Sequence, residues 1–458
     1  MDRTTTSTGW RSLIFHIIPF LLIVMLGTLP FTIAYGEEKG IEILTLEDAL
    51  RIAAEKNRDI LKALEYRNQV EAIYITERAS ALPQITLSTY INLGIDETQR
   101  ALGPNVPIGR NTRSAEVGLS QALYTWGQVG AAMRAAKVGI ATADDQLQIF
   151  RQAAARDVSA SFYDTLLAKE LQTITKQNLE QKIRHYDKAQ KRYAAGVATD
   201  YDVLSAKVDV ENAQPPIIQT ENLTRISRER LRFLLGTNAG EVDVKGTLEI
   251  QMIPYPEYPT AEEIAKKNRP ELSDLSHRIQ VAEELIKIAN AGDKPRLDLK
   301  AGYGWRNFDL GKDLRETGQV WSAGLFVTYP IFDGLRTRGR VAQAKSNLTN
   351  LKIEESKLLN AIRLEVRNAV NAIVEAGEII KALSETVARA ERLLDMAEKG
   401  YEYGVKTKLE IDDAELNVVQ AKGNLARAKR DYLVARVTYE YATGTLGKKE
   451  SLADRRNP

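Results

Sequence analysis

The chain has 458 residues, of which 44% are hydrophobic and 27% charged, with no cysteine and a formal net charge of +2. The lack of cysteine excludes a disulfide framework and a thiolate metal site, and the small net charge argues against nucleic-acid binding. Only three histidines occur, His16, His185 and His277. We therefore expect no metal site, no cofactor and no catalytic centre built on imidazole.

An export signal is predicted at residues 1–36. The apolar run LIFHIIPFLLIVMLGTLPF follows two arginines, and the small residues of AYG at 34–36 provide a cleavage point before Glu37. A retained N-terminal membrane anchor is the alternative, which Pro19 and Pro30 disfavour because they interrupt or end the run. No later stretch approaches the ~20 apolar residues of a membrane-spanning helix.

The rest of the chain reads as two copies of one unit. Residues 121–237 align without a gap on residues 329–445, 208 positions later, and residues 54–70 align on residues 265–281. Glycines, aromatic residues and helical register are kept together in pairs such as Tyr193 and Tyr401, Gly196 and Gly404, Val197 and Val405, Thr199 and Thr407, Arg228 and Arg436, and Gly236 and Gly444. The predicted segments are a first repeat at 37–237, a Pro-rich inter-repeat equatorial segment at 238–260, a second repeat at 261–447 and a C-terminal tail at 448–458.

Each repeat is predicted to open with a helix and to continue with two strands. Thr45 before LEDAL and Thr260 before AEEIA are N-cap signals. After Pro83 and Pro295 the apolar period changes from helical to two. This change predicts strands at 84–94, 114–124, 296–305 and 319–329, joined within each pair by polar loops at 95–113 and 306–318.

The predicted strands have one apolar face and one small or polar face. In the first repeat the apolar face comprises Ile85, Leu87, Thr89, Ile91 and Leu93, then Ala115, Val117, Leu119 and Leu123. Aromatic residues are expected at the strand ends: Tyr124, Trp126, Trp305, Trp321, Tyr329 and Phe332. This pattern is typical of transmembrane β-strands, although a soluble antiparallel sheet with one wet face shares it. Four strands cannot close a barrel and lipid does not tolerate an open edge, so spanning strands would require several chains.

The remaining residues are predicted to form long helices. From about Gly127 to Ala195 and from Leu335 to Lys399 there is no proline, so each stretch can run as one rod of ~65 to 70 residues, on the order of 100 Å. Apolar residues recur at steps of three and four, which predicts coiled-coil packing.

Each rod is predicted to turn back at a glycine. Gly196 and Gly404 end the rods, and Thr199 and Thr407 are N-cap candidates for the return helices. Each repeat therefore ends in a helical hairpin, with its tip near 196 or 404. Two consecutive prolines, Pro215–Pro216, are expected to kink or break the first return helix.

At this point the sequence resembles the TolC-like outer-membrane efflux proteins. The motifs are LTLEDALRIAAEKNRDI, LYTWGQVGAAMRAAK, YPIFDGLRTRGRVAQAK, both tips and the closing ARVTYEYATGTLG, and they cover the whole mature chain. The resemblance implies a membrane α+β fold: a homotrimer in which each chain gives four strands to one twelve-stranded transmembrane β-barrel, continued by a long periplasmic α-helical coiled-coil barrel.

The same resemblance implies a function. Such a protein is the outer-membrane channel of a tripartite efflux or type I secretion system, a passive duct through the outer-membrane lipid of a Gram-negative-type cell. Its partners would be a periplasmic adaptor and an inner-membrane transporter of the RND, ABC or MFS type. The resemblance does not identify the transported substrate, because a passive duct has few residues that recognise a particular substrate.

The resemblance also assigns roles at the hairpin tips. Glu410 and Asp413 resemble an acidic ring at the periplasmic aperture. Tyr401 and Lys406 resemble one side of a gate link, with Tyr201 and Asp202 as facing partners in the other hairpin. Lys406 stands where the family commonly has arginine, and lysine is a weaker bidentate partner. The positions that resemble adaptor-docking grooves are Gly196, Val197, Thr199, Gly404, Val405 and Thr407.

An exported coiled-coil structural or adhesin protein with a small soluble sheet is the alternative. It would explain the rods, but it leaves the lipid-compatible strands and the duplication without a role. An enzyme is not expected, since the sequence has neither a phosphate-binding loop with its lysine nor a G-x-S-x-G nucleophile elbow.

Overall fold

The computed structural model describes residues 42–95, 97–103, 109–237, 240–252, 254, 257–309 and 315–447. The predicted signal segment 1–36 and the tail 448–458 lie outside the described residues. Within the described residues the same order of elements occurs twice: two short helices, two long strands, one very long helix and a return helix.

The first half of the chain contains the elements β1 (Glu42–Leu44), α1 (Leu46–Lys56), α2 (Arg58–Ala79), β2 (Gln84–Ile95), β3 (Gly109–Tyr124), α3 (Gln128–Ala194), α4 (Asp200–Asn212), α5 (Gln214–Leu235) and β4 (Val242–Val244). The second half contains α6 (Tyr258–Asn268), α7 (Pro270–Asn290), β5 (Arg296–Asp309), β6 (Arg315–Thr328), α8 (Arg336–Glu402) and α9 (Lys408–Ala442). Short 3-10 helices follow β2 and α7, at Glu97–Leu102 and Ala291–Asp293.

The four long strands form one antiparallel sheet in the order β2-β3-β5-β6. Its register places large apolar side chains in one row across the strands: Leu87, Val117, Tyr303 and Trp321. The neighbouring row, on the opposite face, holds small residues: Thr86, Gly118, Gly302 and Ser322. One face of the sheet is therefore apolar and the other small or polar, and β2 and β6 are edge strands within one chain.

The strands differ from the prediction in length and in one register. β3 begins at Gly109 and β6 at Arg315, so part of each predicted loop is paired strand, because backbone pairing continues beyond the apolar alternation. A β-bulge between Ala122 and Tyr124 places Tyr124 opposite Leu297 on the apolar face, in place of the predicted Leu123. Trp321 lies inside β6 and not at its end.

The two long helices match the predicted rods. α3 and α8 each contain 67 residues, which corresponds to about 100 Å at 1.5 Å per residue. Both follow a left-handed residue, Gly127 at φ +77° and Leu335 at φ +65°. Of the helices in the described part of the chain, none has the length and apolar character that crossing a membrane requires.

The hydrophobic core lies around the middle of the rods. One cluster joins α1, α3 and α5 to the two-stranded parallel sheet β1-β4, with Val158, Leu231 and Val244 almost fully buried. A second cluster joins α6, α8 and α9 around Ile362 and Tyr439. Many buried positions are alanines, which let the helices approach closely. The hairpin tips extend away from both clusters.

The first return helix is broken where the prolines predict it. α4 ends at Asn212 and α5 starts at Gln214, so Pro215 and Pro216 lie in the first turn of α5. Amide hydrogens have no intrahelical acceptor in a first turn, so proline is tolerated there. The second return helix, α9, is continuous over 35 residues.

Candidate functional site: the hairpin tips

Both tips reverse the chain in the same way. Gly196 has φ +77° and Gly404 has φ +72°, and a Cβ at either position would meet nothing within 4 Å. The amide of Val197 donates to the carbonyl of Arg192 at 2.9 Å, and the amide of Val405 donates to Gly400 at 2.8 Å. These are Schellman motifs, so the glycines serve left-handed backbone geometry and not side-chain clearance.

Both return helices start with a capping box. Thr199 donates its amide to Asp202 at 2.8 Å, and its hydroxyl oxygen accepts the Asp202 amide at 3.2 Å. Thr407 and Glu410 make the same pair of bonds at 2.8 and 3.4 Å. Asp202 and Glu410 are thus equivalent third residues of α4 and α9, although the sequence predicted a gate link for one and an aperture ring for the other.

The two predicted aperture acids have different surroundings. The Glu410 carboxylate turns back to the cap and also accepts a hydrogen bond from Lys406. The Lys406 ammonium, followed by the Thr407 amide, lowers the pKa of Glu410 to about 2. Asp413 is exposed, and it has no hydrogen-bond or ion-pair partner among the described residues. Within one chain, the Asp413 carboxylate is therefore more available for contacts outside the tip than the Glu410 carboxylate, which Lys406 and Thr407 hold.

In the part of the chain that the structure describes, no hydrogen bond or ion pair joins the predicted gate-link residues to one another. The Tyr401 hydroxyl accepts a hydrogen bond from Arg192 at 3.4 Å, and that guanidinium lies 5.6 Å from the Tyr401 ring centroid. Thr199 holds the Asp202 carboxylate and lowers its pKa, and the charge of Arg192 contributes to this shift. Tyr201 is 77% exposed. The gate-link role of these residues stays a prediction.

The predicted docking positions form two exposed surfaces. Val197 and Val405 project from the tips into solvent, next to the glycines. The capping threonines, Thr199 and Thr407, are exposed as well. Each hairpin tip thus presents one exposed valine, and the two valines occupy equivalent positions.

A polar cluster that the sequence analysis missed lies just above the tips. Glu415 of α9 is 2% exposed, and its carboxylate faces three side chains of α3. Gln181 donates to it at 2.8 Å, His185 Nε2 lies at 2.7 Å, and the Lys182 ammonium lies at 2.6 Å. Burial raises the pKa of Glu415, but the hydrogen bonds from His185 and Lys182 outweigh it, so the net shift is downward.

Further ion pairs extend this cluster along the contact between hairpins. Asp412 lies 2.9 Å from Lys182 and 2.6 Å from Lys408, and Lys408 also reaches Asp209 of α4 at 3.2 Å. Closer to the tip, Lys188 pairs with Glu402 at 2.8 Å. The sequence feature that could have indicated this cluster is two pairs of titratable residues three positions apart, Lys182 with His185 and Asp412 with Glu415.

Three of these side chains are metal-ligand types. Donor atoms of His185, Glu398 and Glu415 lie within 4.8 Å of one another. Gln181 donates to both carboxylates, at 3.3 Å to Glu398 and 2.8 Å to Glu415, and Lys182 supplies a positive charge. Lys182 lies 2.6 Å from the Glu415 carboxylate, so these side chains form a polar contact between α3, α8 and α9 that already includes a cation.

Comparison with known proteins gives the chain its family. The sequence profile described as "Outer membrane efflux protein" matches residues 49–237 and 263–445. The chain is 23% identical to outer membrane protein TolC of Vibrio cholerae, over 95% of this chain and 96% of that protein. It is 22% identical to the alkaline protease secretion protein AprF of Pseudomonas aeruginosa, over 89% and 86%.

Solved structures share the fold. The CmeC outer membrane channel of Campylobacter jejuni superimposes with a TM-score of 0.77 at 17% identity, covering 89% of this chain and 88% of that one. The open state of the MtrE outer membrane channel of Neisseria gonorrhoeae gives 0.72 at 19% identity, over 88% and 89%.

Long paired hairpins with capped tips, attached to a sheet with one apolar face, define a class of outer-membrane channels. The profile covers most of the chain, and the chain belongs to the outer membrane efflux protein family. It is an efflux or secretion channel of the outer membrane, with its helical part in the periplasm. Members of this family are channel proteins and not enzymes.

Proposed function

We propose that three copies of the chain form one passive duct. The supporting observation is the sheet, which has an apolar face and leaves β2 and β6 unpaired at its edges. Pairing β2 of one copy with β6 of the next would remove every edge, which lipid requires. Three sets of four strands then give a twelve-stranded barrel, and the long hairpins continue it as an α-helical barrel.

The duct would connect to a pump through its hairpin tips. A periplasmic adaptor would dock at Gly196, Val197 and Thr199 and at Gly404, Val405 and Thr407, and it would join the channel to an inner-membrane RND, ABC or MFS transporter. The two tips have the same backbone geometry, and each presents one exposed valine. This similarity suits an adaptor that contacts both hairpins in the same way. The repeated order of elements and the two profile matches support a duplicated origin for these docking points.

The tips would also form the gate. Asp413 and Glu410 would provide the acidic aperture ring, and Tyr401 with Lys406 would link to Tyr201 and Asp202 of a facing hairpin. Like charges around a narrow axis repel, so the closed state needs such links. Adaptor binding would shift the population towards the open state by binding it more tightly.

The first test is location and assembly. Cells expressing the chain are fractionated, and the outer-membrane fraction is run on gels with and without heating. We expect a trimer that heating converts to monomer. Release of the protein by osmotic shock would instead support the coiled-coil structural or adhesin alternative.

The second test concerns the gate link. The double variant Asp202→Ala with Tyr401→Phe should raise single-channel conductance in planar bilayers, because it removes one side of each link. Asp202→Ala also removes a helix cap, so the matched control is Thr199→Ala, which loses the cap and keeps the carboxylate. An equal rise in both would assign the effect to the cap and reject the link.

A further inference from the structure

We propose that a recess beside the sheet is a transit site for amphipathic organic anions, compounds with an apolar body and one carboxylate or sulfonate group. The recess lies where α2, α3 and α7 meet β2, β3 and β5, and its volume is about 780 Å³. Sites for drug-sized ligands have volumes of this order. This inference rests on the proposed function, because it names a class of cargo that the duct would bind during passage.

The helix side of the recess is apolar. α3 packs against both α2 and α7, and its small side chain Ala132 lines the recess between Ile73 of α2 and Leu285 of α7. Leu82, between α2 and β2, lines it as well. Ile73, Leu82 and Leu285 are 46%, 51% and 47% exposed. An apolar body that covered these side chains would remove them from the water of the proposed lumen, which is favourable.

The sheet side of the recess carries hydrogen-bond donors in one row. Gln84 of β2 pairs in register with Ser120 of β3, and Ser120 pairs with Lys300 of β5. All three line the recess, and they belong to the small and polar face, which is the inner face of the proposed barrel. An ammonium only donates, and an amide and a hydroxyl each donate as well. The row therefore suits the oxygens of a carboxylate or sulfonate.

The charges around the recess favour an anion at this row. Arg296 and Asp298, two further lining residues of β5, form an ion pair with each other at 2.9 Å, so their charges largely cancel. The Lys300 ammonium lies 5.0 Å from the Phe326 ring centroid, and it has no carboxylate partner in the part of the chain that the structure describes. Glu77 is the remaining charged lining residue, and it belongs to α2 and not to the donor row.

Cysteine protection tests the site in outer membranes. The chain has no cysteine, so Ala122→Cys places a unique thiol in the recess next to the donor row. The measurement is the rate at which a small water-soluble thiosulfonate reagent modifies this thiol. We expect saturating naphthalene-2-sulfonate to slow it about fivefold, because the bound probe covers the thiol. The control is Ser114→Cys, on the same face of β3 but ~27 Å away, where the probe should have no effect.

Two further probes separate the apolar contribution from the ionic one. Methanesulfonate lacks the apolar body, and 1-naphthylmethylammonium carries the opposite charge. We expect each to need about a fivefold higher concentration than naphthalene-2-sulfonate for half-protection of the Ala122→Cys thiol. Equal or stronger protection by the ammonium would overturn the proposed ligand class.

Substitutions in the Ala122→Cys background test the side chains. Lys300→Gln removes the positive charge and Leu285→Ser makes one wall polar, so each should raise the half-protection concentration of naphthalene-2-sulfonate about fivefold. The control is Lys294→Gln, which breaks an ion pair with Asp293 outside the recess and should leave protection unchanged. Unchanged protection in both Lys300→Gln and Leu285→Ser would contradict the site.

The reaction rates without probe test the proposed function separately. If both thiols react but the probe protects neither, the transit site is overturned and the duct stands. If neither thiol reacts with the water-soluble reagent, their face of the sheet is closed to water, and the proposed duct is overturned together with its transit site.

Discussion

Asp202 and Glu410 have the same local role at equivalent positions of the two repeats. Each is the third residue of a return helix and closes a capping box with the threonine before it. A carboxylate whose oxygens accept hydrogen bonds from its own helix cap is partly neutralised there. It therefore repels or attracts charges across the aperture less strongly than an unpaired carboxylate does. Asp413, which is exposed, is therefore the stronger candidate for the ring, and Glu410 first stabilises the tip.

Removing either cap should loosen the start of its helix by a similar amount. We expect Thr407→Ala and Thr199→Ala each to cost about 1 kcal/mol locally, or about fivefold faster amide exchange in the first turn. Hydrogen exchange of the purified channel measures this. Thr407→Ser keeps a hydroxyl and is the control, and equal exchange in all three variants would show that packing alone orders the tips.

Lys406 should set the acid resistance of the second tip. Its ammonium is the main cause of the lowered Glu410 pKa, so the cap bond is present above 4.5 and is lost as pH falls through about 2. In Lys406→Ala the loss should occur at higher pH, nearer 4.5. Pepsin cleavage at the tip, followed from pH 5 to 2, tests this. The control is Lys399→Ala, which removes a different exposed ion pair, that of Lys399 with Asp395 in α8. This variant should be cleaved like the wild type.

At the scale of the element, one pair of prolines distinguishes the two return helices. The first is divided into α4 and α5 at Ala213, whereas α9 continues through the equivalent region. Proline lacks the amide that would bond the carbonyl four residues earlier, so the ladder is interrupted where Pro215 and Pro216 enter. The break gives the first hairpin a defined joint that the second lacks.

Replacing both prolines should join the two helices. In Pro215→Ala with Pro216→Ala, amides at these positions can donate to Glu211 and Asn212, so we expect slower exchange there and a higher melting temperature. The converse control is Gly423→Pro, the position equivalent to Pro215, which should break α9 at a cost of about 3 kcal/mol or more. Unchanged exchange around residue 213 in the alanine variant would assign the break to packing.

At the scale of the molecule, the apolar face of the sheet is the feature that most clearly indicates the surroundings of the protein. Trp321 is 76% exposed in the single chain and lies in the apolar row with Leu87, Val117 and Tyr303. A monomeric soluble protein rarely exposes so continuous an apolar surface. Lipid contact would satisfy this face while the small and polar row lines the interior.

Lipid contact should be visible in tryptophan fluorescence. After reconstitution into bilayers with brominated acyl chains, we expect Trp321 to be quenched most, because it lies inside β6, and Trp126, at the junction with α3, to be quenched less. The single variants Trp321→Phe and Trp126→Phe identify each contribution. Equal quenching in brominated and ordinary lipid would place the sheet outside the bilayer.

Much of the architecture could be predicted because it depends on local chemistry. Gly196 and Gly404 mark left-handed turns, the threonines mark helix starts, and unbroken heptads without proline predict rods that prove to be 67 residues long. Alternation located the four long strands, but not the three-residue strands β1 and β4. Their ends and the bulge near Ala122 were not predictable, because strand length and register depend on the paired backbone of a distant segment.

The sequence by itself determined the hairpins, their tips and the apolar face of the sheet, since each follows from residue type at a short, fixed spacing. Only the tertiary structure decided which charges meet. Lys182 and His185 lie about 230 residues from Glu415, and nothing within either helix shows that the two faces pack together. Burial at that contact turns three ordinary surface residues into a cross-link, because a carboxylate removed from water depends on the partners that the fold supplies.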